Sequence, residues 1–310
     1  MIFVTGSSGY VGSALVPLIR KTDELIGIDL IPSDQTDWVM DIASSGFRNE
    51  VSTFSESAIS IVNLAAARFD FGAKAEDYYR LNVLVHEKFL RSLNSFNISK
   101  FIHISSVASI DGRKIPYSRD LDCDDAYRST KFLQEKLIRD WCSKRNIELV
   151  VLYPSAIFSV EERSDTNIGK MQKLSRFLPF VPNIGVDKTL TFLPNLSRFI
   201  LGALKDSLNS GNYLTVEEPV LTVTEMVKIL SGGNKKVVNI PFFRGFLTGI
   251  AYLLYVLGGF GKLDLKLTPN RVVKLFSNTS YDVGDLDIDR FSYSKYSSSD
   301  LRNILRSVER

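Results

Sequence analysis

A phenol and an ammonium stand four residues apart in 126-AYRSTK-131, just behind the acids Asp122, Asp124 and Asp125. In the stretch that follows, FLQEKLIRDWCSK, the residues Leu133, Leu137, Ile138 and Trp141 recur at helical spacing. Glu135, Lys136, Arg139 and Lys144 fall between them. The pattern predicts a helix over 126–143, with Asp124 or Asp125 capping its first amides. Tyr127 and Lys131 then share one helix face, at i and i+4. A free phenol, with a pKa of about 10, is no base at neutral pH. Lowering that value by about three units takes ~4 kcal/mol. One unit charge about 4 Å away in a partly buried site supplies that much. The pair can therefore do general acid–base chemistry at a hydroxyl or carbonyl carbon. By itself the spacing also fits an accidental surface pair, so the rest of the chain has to decide.

A second chemical signal opens the chain, 4-VTGSSGYVG-12. Gly6, Gly9 and Gly12 follow an apolar strand and begin a helix, with Ser8, Tyr10 and Val11 among them. Such glycines allow a tight turn, close approach of backbone to a pyrophosphate, and close helix–strand packing. The helix N-terminus adds amides and partial positive charge for the phosphates. The spacing is GxxGxxG, where most dehydrogenases show GxGxxG. Pro17 removes one donor inside this helix and predicts a bend. Asp29 ends the second apolar run, where a carboxylate can accept both hydroxyls of an adenosine ribose. The next residues, LIPSD, hold no Arg or Lys for a 2′-phosphate, so NAD(H) is expected over NADP(H). Asp is also a common turn residue, which is the plainer explanation of Asp29.

The elements that must position these residues are legible as alternation. Apolar runs at 2–5, 25–29, 59–65, 100–105 and 148–153 read as buried strands, with a weaker one at 212–216. Helical patterns at 10–21, 78–95 and 126–143 fall between them. This predicts an α/β fold, a Rossmann-like doubly wound parallel sheet covered on both faces. Past residue 155 the pattern loosens and prolines punctuate it, which predicts a smaller mixed C-terminal substrate-binding region. The expected division is 1–155 plus about 188–218 for the NAD-binding domain, with 156–187 and 219–310 for the substrate region.

The chain of 310 residues is 45% hydrophobic and 24% charged, enough for a sizeable core. Its net charge of +3 does not suggest nucleic acid but suits an anionic small molecule. Cys123 and Cys142 show neither metal-ligand nor disulfide spacing, which predicts a reducing, cytoplasmic setting. His86 and His103 are expected to be structural, and no metal site is expected. The apolar strand beginning at Ile2 predicts that no signal peptide precedes the fold.

With both motifs in order, the chain resembles the extended short-chain dehydrogenase/reductases, in the branch of nucleotide-sugar epimerases, dehydratases and 4-ketoreductases. The carrying residues are Gly6–Gly12 in GxxGxxG and Tyr127–Lys131 in YxxxK. Asp41-Ile42 is similar to the family's adenine-contacting pair, and Asn63-Leu64-Ala65-Ala66 to its strand-four motif, with Arg68 placed to reach the pyrophosphate. Asn82 matches the asparagine of the family's NV motif, Ser105-Ser106 the hydroxyl position after strand five, and Pro154 the residue near the nicotinamide. The resemblance runs from residue 1 to about 232, and more faintly beyond.

The resemblance implies that Tyr127 exchanges a proton with a substrate hydroxyl while Ser106 orients that oxygen. It also implies that Lys131 stabilises the phenolate and holds the nicotinamide ribose. Many members read SSxxVYG where this chain reads 105-SSVASIDG-112; aligned on Gly112 the catalytic position would be Val107, aligned on the strand end Ser106. Strand ends fix side chains better than loop glycines, which favours Ser106. Tyr153 and Ser155-Ala156 stand where sugar epimerases often carry Arg and Asn around the proline. Asn167 is the expected substitute for gripping the substrate, with a helix cap as its other explanation.

A homodimer through the helices at 78–95 and 126–143 is a further implication, although Leu133, Leu137 and Trp141 can equally be core. The segment 242-FFRGFLTGIAYLLYVLGGF-260 is uncharged from Gly245 onward. Its four glycines and Arg244 predict a buried or membrane-surface helix, with peripheral membrane contact, rather than a span. Three functions compete: an epimerase or 4-ketoreductase of a nucleotide-activated sugar, most simply a UDP-sugar; a reductase of hydroxysteroids, aldehydes or ketones; and an NAD-sensing protein without chemistry. The presence of Tyr127, Lys131 and Ser106 argues against the third, and NAD retention without a basic partner to Asp29 leans toward epimerisation.

Overall fold

Apolar runs with parallel register build one central sheet. In the computed structural model, which describes residues 1–54, 57–67, 73–160, 166–205, 208–257, 269–281, 291–293 and 301–307, its first six strands are β1 (Ile2–Thr5), β2 (Leu25–Asp29), β3 (Trp38–Val39), β4 (Ile59–Asn63), β5 (Ile98–Ile104) and β6 (Glu148–Pro154). Strands Gly211–Thr215 and Phe291–Tyr293 complete it. Across the sheet the order is Phe291–Tyr293, Gly211–Thr215, β6, β5, β4, β1, β2, β3, and every pair is parallel. Strands run outward from β1 to one edge and from β4 to the other. The sheet is therefore doubly wound, and the winding reverses between β1 and β4, where such sheets open a crevice at their C-terminal ends.

Alternation along the strands divides the core. Phe3, Ile61 and Phe101 lie side by side in register and face one layer. That layer is closed by Phe47 of α2 (Ser45–Ser52), then by a helical rod with Ala75–Tyr79 as α3, one π turn at Arg80–Leu84, and Val85–Ser92 as α4. Trp38 seals the edge, its ring centroid 5.5 Å from that of Phe3 and 6.5 Å from that of Phe47. Val4, Val62 and Ile102 take the alternate positions, where α1 (Tyr10–Ile19) and helix Leu193–Leu204 cover the opposite face. Pro17 falls late in α1.

After β5 come α5 (Val107–Gly112) and α6 (Cys123–Lys144). The cap of α6 differs from the expected one. The cap is Asp122, whose carboxylate accepts from Asp125 N at 2.9 Å. Asp124 and Asp125 lie in the first turn instead, where they complement the helix dipole. The deepest stripe comprises Lys131, Gln134, Glu135, Ile138 and Cys142. Leu137 and Trp141 pack on the flank of the core, where Trp141 Nε1 donates to Asn94 (2.8 Å) and Arg145 lies 5.3 Å over the ring. The helix turns polar groups toward the sheet because partners wait there.

The chain divides into two units, the first comprising Met1–Ser155, Leu193–Thr215 and Leu286–Tyr296. The second takes Ala156–Phe192, Val216–Asp285 and Ser297–Arg310. It is built from two-stranded ladders and short helices around Phe158, Ile168, Leu221, Met226 and Leu305. Thr222 and Glu225 form a capping box at the start of helix Val223–Leu230. Among the described residues no helix is long and apolar enough to cross a membrane; Gly245–Leu257 of the uncharged segment lies in helix Phe243–Leu257.

Candidate active site

The glycine loop leaves β1 in a conformation only glycine adopts easily: Gly6 has φ +76°. At Gly12 a Cβ would lie 2.3 Å from the Gly6 carbonyl oxygen and 2.6 Å from that of Ser7, so α1 rests directly on the loop backbone. The cap residue is Gly9, which has no side chain to satisfy the first amides, and no acid stands in the first turn. The helix start is thus open to an anion. Asp29 receives Ser8 N at 3.0 Å and Ile31 N at 3.2 Å, which ties the end of β2 to the same loop. Leu30 and Ile31 beside it are exposed and carry no charge. An open helix start, a glycine cradle and a carboxylate at the second strand end fit a dinucleotide with a free adenosine ribose.

Facing this loop, α6 carries a buried lysine. Lys131 is 1% exposed; its Nζ donates to the Ile104 carbonyl at 3.2 Å and to Gln134 Oε1 at 2.6 Å, which leaves one N–H. Burial lowers its pKa to about 7, against the opposing pull of Glu135. Desolvation thus brings the titration of this group close to neutrality. Gln134 Nε2 donates to the Ala65 carbonyl at 3.1 Å and meets His86 Nε2 at 2.7 Å. Neither Gln134 nor His86 was picked out as a site residue, because their roles arise only when α4 and α6 pack together. His86 is pushed down to about 4, first by burial and then by the Lys131 charge. Behind it Thr5, Asn63 and His103 form a buried row across β1, β4 and β5, with Thr5 Oγ1 2.6 Å from Asn63 Oδ1 and Asn63 Nδ2 3.2 Å from His103 Nδ1. His103 is also lowered, by burial above all.

Tyr127 is half-buried, with its ring edge-on to Tyr78 at 6.1 Å. Among the described residues no side chain hydrogen-bonds its hydroxyl. Ser106 is half-buried beyond the end of β5 and caps α5, accepting from Ala108 N at 3.2 Å. Val107 is packed in the core. Ser105 turns the other way, donating to Glu135 Oε2 at 2.7 Å. Asn82 is fully buried; its Oδ1 accepts from Ala67 N at 2.7 Å and its Nδ2 donates to Thr130 at 3.2 Å, so it braces the exit of β4 against α6. Leu64, Ala65 and Ala66 occupy that exit. Asp41 accepts from Ala43 N at 2.8 Å, while Ile42 packs into the core. Pro154 ends β6. Asn167 opens helix Asn167–Phe177 of the second unit, whose cap is Thr166. Arg68 lies outside the described residues.

A network the sequence argument missed lies beneath these groups. Glu135, 4% exposed, receives Ser105, Ser109 (2.9 Å), Tyr153 and Arg139 (2.9 Å). Arg139 also donates to Tyr153 at 2.7 Å and to Asn212. Burial first, and then Glu135, pushes the Tyr153 phenol up beyond any working pH. The available signal was Glu135–Arg139 at i,i+4 on a helix that covers a sheet.

Solved structures share this architecture. UDP-glucuronic acid 4-epimerase from Bacillus cereus, in complex with NAD, superposes with a TM-score of 0.61 at 18% identity, covering 77% of this chain and 85% of that one. UDP-N-acetylglucosamine 4-epimerase from Bacillus cereus gives 0.62 at 19%, over 77% and 84%. A candidate epimerase from Burkholderia cenocepacia J2315 gives 0.63 at 14%, over 99% and 96%. At these identities the likeness establishes the Rossmann-like fold. The sequence profile of the NAD-dependent epimerase/dehydratase family matches residues 2–180, and the chain belongs to that family. It is accordingly an NAD-dependent enzyme of the epimerase/oxidoreductase type, with NAD as its cofactor. Trichosetin synthetase PKS-NRPS1 of Gibberella fujikuroi is 23% identical over 241 residues, 68% of this chain; the match spans 6% of that much longer protein.

Two predictions follow from the buried polar groups. Arg139→Met leaves Glu135 without its cation and costs about 2 kcal/mol, discounted because Arg139 is partly exposed; unchanged urea midpoints would remove the network's structural role. His86 and His103 stay neutral in the fold but protonate near pH 6.5 when unfolded. Stability is therefore complete above about pH 6.5 and falls as the pH drops toward 4, by about 3 kcal/mol for His86 alone. His86→Gln should lower the proton uptake on unfolding at about pH 5 by about one. A pH-independent difference between the two proteins would contradict this.

Proposed function

We propose that the protein is an epimerase acting on a nucleotide-activated sugar, with a UDP-sugar as the simplest substrate, through a 4-keto sugar. The product would be a precursor of bacterial-type polysaccharide. The observation that carries this reading is the placement of Tyr127 and Lys131 on the first turns of α6, with Lys131 bonded to the end of β5 and, through Gln134, to the exit of β4. Family membership and the UDP-sugar 4-epimerases among the similar structures support the substrate class.

In this reading the first unit holds the dinucleotide and the second holds the sugar. Gly6, Ser8, Gly9, Tyr10, Val11 and Gly12 receive the pyrophosphate, and Asp29 the adenosine ribose. Asp41 and Ile42 flank the adenine; Leu64, Ala65, Ala66, Ser105 and Pro154 line the remaining course, with Asn82 acting through Ala67. Arg68 is assigned to the pyrophosphate by its motif position. NAD, when bound, supplies reversible hydride acceptance. Tyr127 takes the proton from the sugar hydroxyl and returns it after the ring has turned. Ser106 hydrogen-bonds the same oxygen, and Lys131 uses its remaining N–H on the nicotinamide ribose. Asn167 is assigned to the substrate from the second unit. The two free cysteines suit a reducing cytoplasm. A homodimer through Val85–Ser92 and Cys123–Lys144 belongs to the same reading, and light scattering that finds only monomer removes it.

Tyr127→Phe should keep NAD binding but lower turnover at least ~10²-fold; near-normal turnover would sink the assignment of the base. Asp29→Ala should weaken NAD binding by about ten-fold, as loss of a charged acceptor does. A wild-type preference for NADPH would show that Asp29 has been misassigned. Denaturing the purified protein should release stoichiometric NAD, and sugar interconversion should proceed at constant 340 nm absorbance. The SSVAS spelling after β5 favours a second reading, a 4-ketoreductase. An apo protein that steadily oxidises NADH with a 4-keto sugar nucleotide would establish that one instead.

A further inference from the structure

Helix Phe243–Leu257 presents a continuous apolar stripe to solvent. Phe242 is 92% exposed, Phe246 64%, Leu253 59% and Leu257 67%, and these positions fall on one helical face. Gly245 and Gly249 open onto the same side, and a Cβ at either would meet nothing within 4 Å. The opposite side is occupied: Ala251 is fully buried, and Phe243 packs against Phe276 with ring centroids 6.0 Å apart. The helix is thus held on one face and bare on the other. Exposed apolar faces of this kind mark interaction surfaces.

Charge specifies the partner. Between Met226 and Tyr281 eight lysines and arginines stand against one acid, Asp264, so this stretch is more positive than the whole chain at +3. Arg244 is exposed at the margin of the stripe, and Lys236 before the helix and Lys274 on the packed helix Pro269–Leu275 are exposed as well. Tyr252 and Tyr255 add exposed amphipathic rings toward the same margin. An apolar stripe with aromatic rings and a basic border is complementary to the boundary of an anionic bilayer, where acyl chains meet negative headgroups. A protein partner of ordinary composition would not call for such a charge excess.

We propose that Phe243–Leu257 lies on an anionic membrane surface, with Phe246 and Leu253 inserted and the basic residues at the headgroups. This surface does not depend on the proposed sugar-nucleotide activity.

The test is co-sedimentation of the full chain with phosphatidylcholine vesicles and with vesicles containing phosphatidylglycerol. Wild type should pellet at least ~10-fold more with the anionic vesicles, and about 0.5 M salt should release most of it. Phe246→Ser combined with Leu253→Ser should reduce pelleting at least ~10-fold while leaving turnover and NAD content unchanged. No pelleting of wild type, equal pelleting with both vesicle types, or wild-type pelleting of the double variant would each overturn the proposal. A double variant that changed from dimer to monomer would assign the stripe to a second copy and overturn it too. Vesicle binding is read without catalysis, so an inactive enzyme that still pellets would refute the epimerase reading alone.

Discussion

A lysine ammonium with almost no exposed surface is the constraint around which the first unit is arranged. Removing such a charge from water costs several kcal/mol unless hydrogen bonds compensate it. Here they come from distant parts of the chain: the Ile104 carbonyl at the end of β5, and Gln134 one turn along α6. Gln134 is fixed in turn by the Ala65 carbonyl beyond β4 and by His86 on α4. The hydrogen bonds around this one side chain therefore tie together the ends of two strands, the inward stripe of α6 and α4. The helix beginning at Cys123 places Tyr127 one turn before that lysine, with its ring against Tyr78.

The sheet is correspondingly polarised along its strands. Its middle is apolar, built on Phe3, Ile61 and Phe101. Its C-terminal edge carries the row Thr5, Asn63 and His103 directly behind the glycine loop and the exit of β4. Polar groups concentrated where the winding reverses are what a doubly wound sheet needs at its ligand crevice. Both histidines are held neutral, first because burial desolvates them and then because Lys131 disfavours a further cation beside it.

Much of this was legible in the sequence because it is local. Strand β2, helix α1 and the glycine loop follow from apolar runs and turn chemistry within a few residues. The tyrosine–lysine pair is legible because helical spacing alone brings it together. What was not legible depends on contacts between remote segments. Gln134 looks like an ordinary exposed helix residue until the Ala65 carbonyl and His86 are placed around it. Asn82 is legible from its motif, but its hydrogen bonds to Ala67 and Thr130 are not. Periodicity counts apolar residues, so on α6 it singled out Leu133, Leu137, Ile138 and Trp141, of which only Ile138 is among the buried residues of the helix. The sheet edge instead selected the polar ones, which could be satisfied there.

Tyr153 shows how far the resemblance carries. Sugar epimerases often place an arginine at this point, yet Tyr153 is fully buried and hydrogen-bonded to Arg139 and Glu135. Asn212 on strand Gly211–Thr215 accepts from the same Arg139. The position has become part of a scaffold that ties β6 and its neighbour strand to α6. A side chain so committed has no freedom to grip a diphosphate. In the proposed nucleotide-sugar reading that grip has to come from residues other than Tyr153. In the proposed function, the chemistry rests on buried, long-range hydrogen bonds in the first unit, and the choice of sugar on residues that packing leaves free to vary.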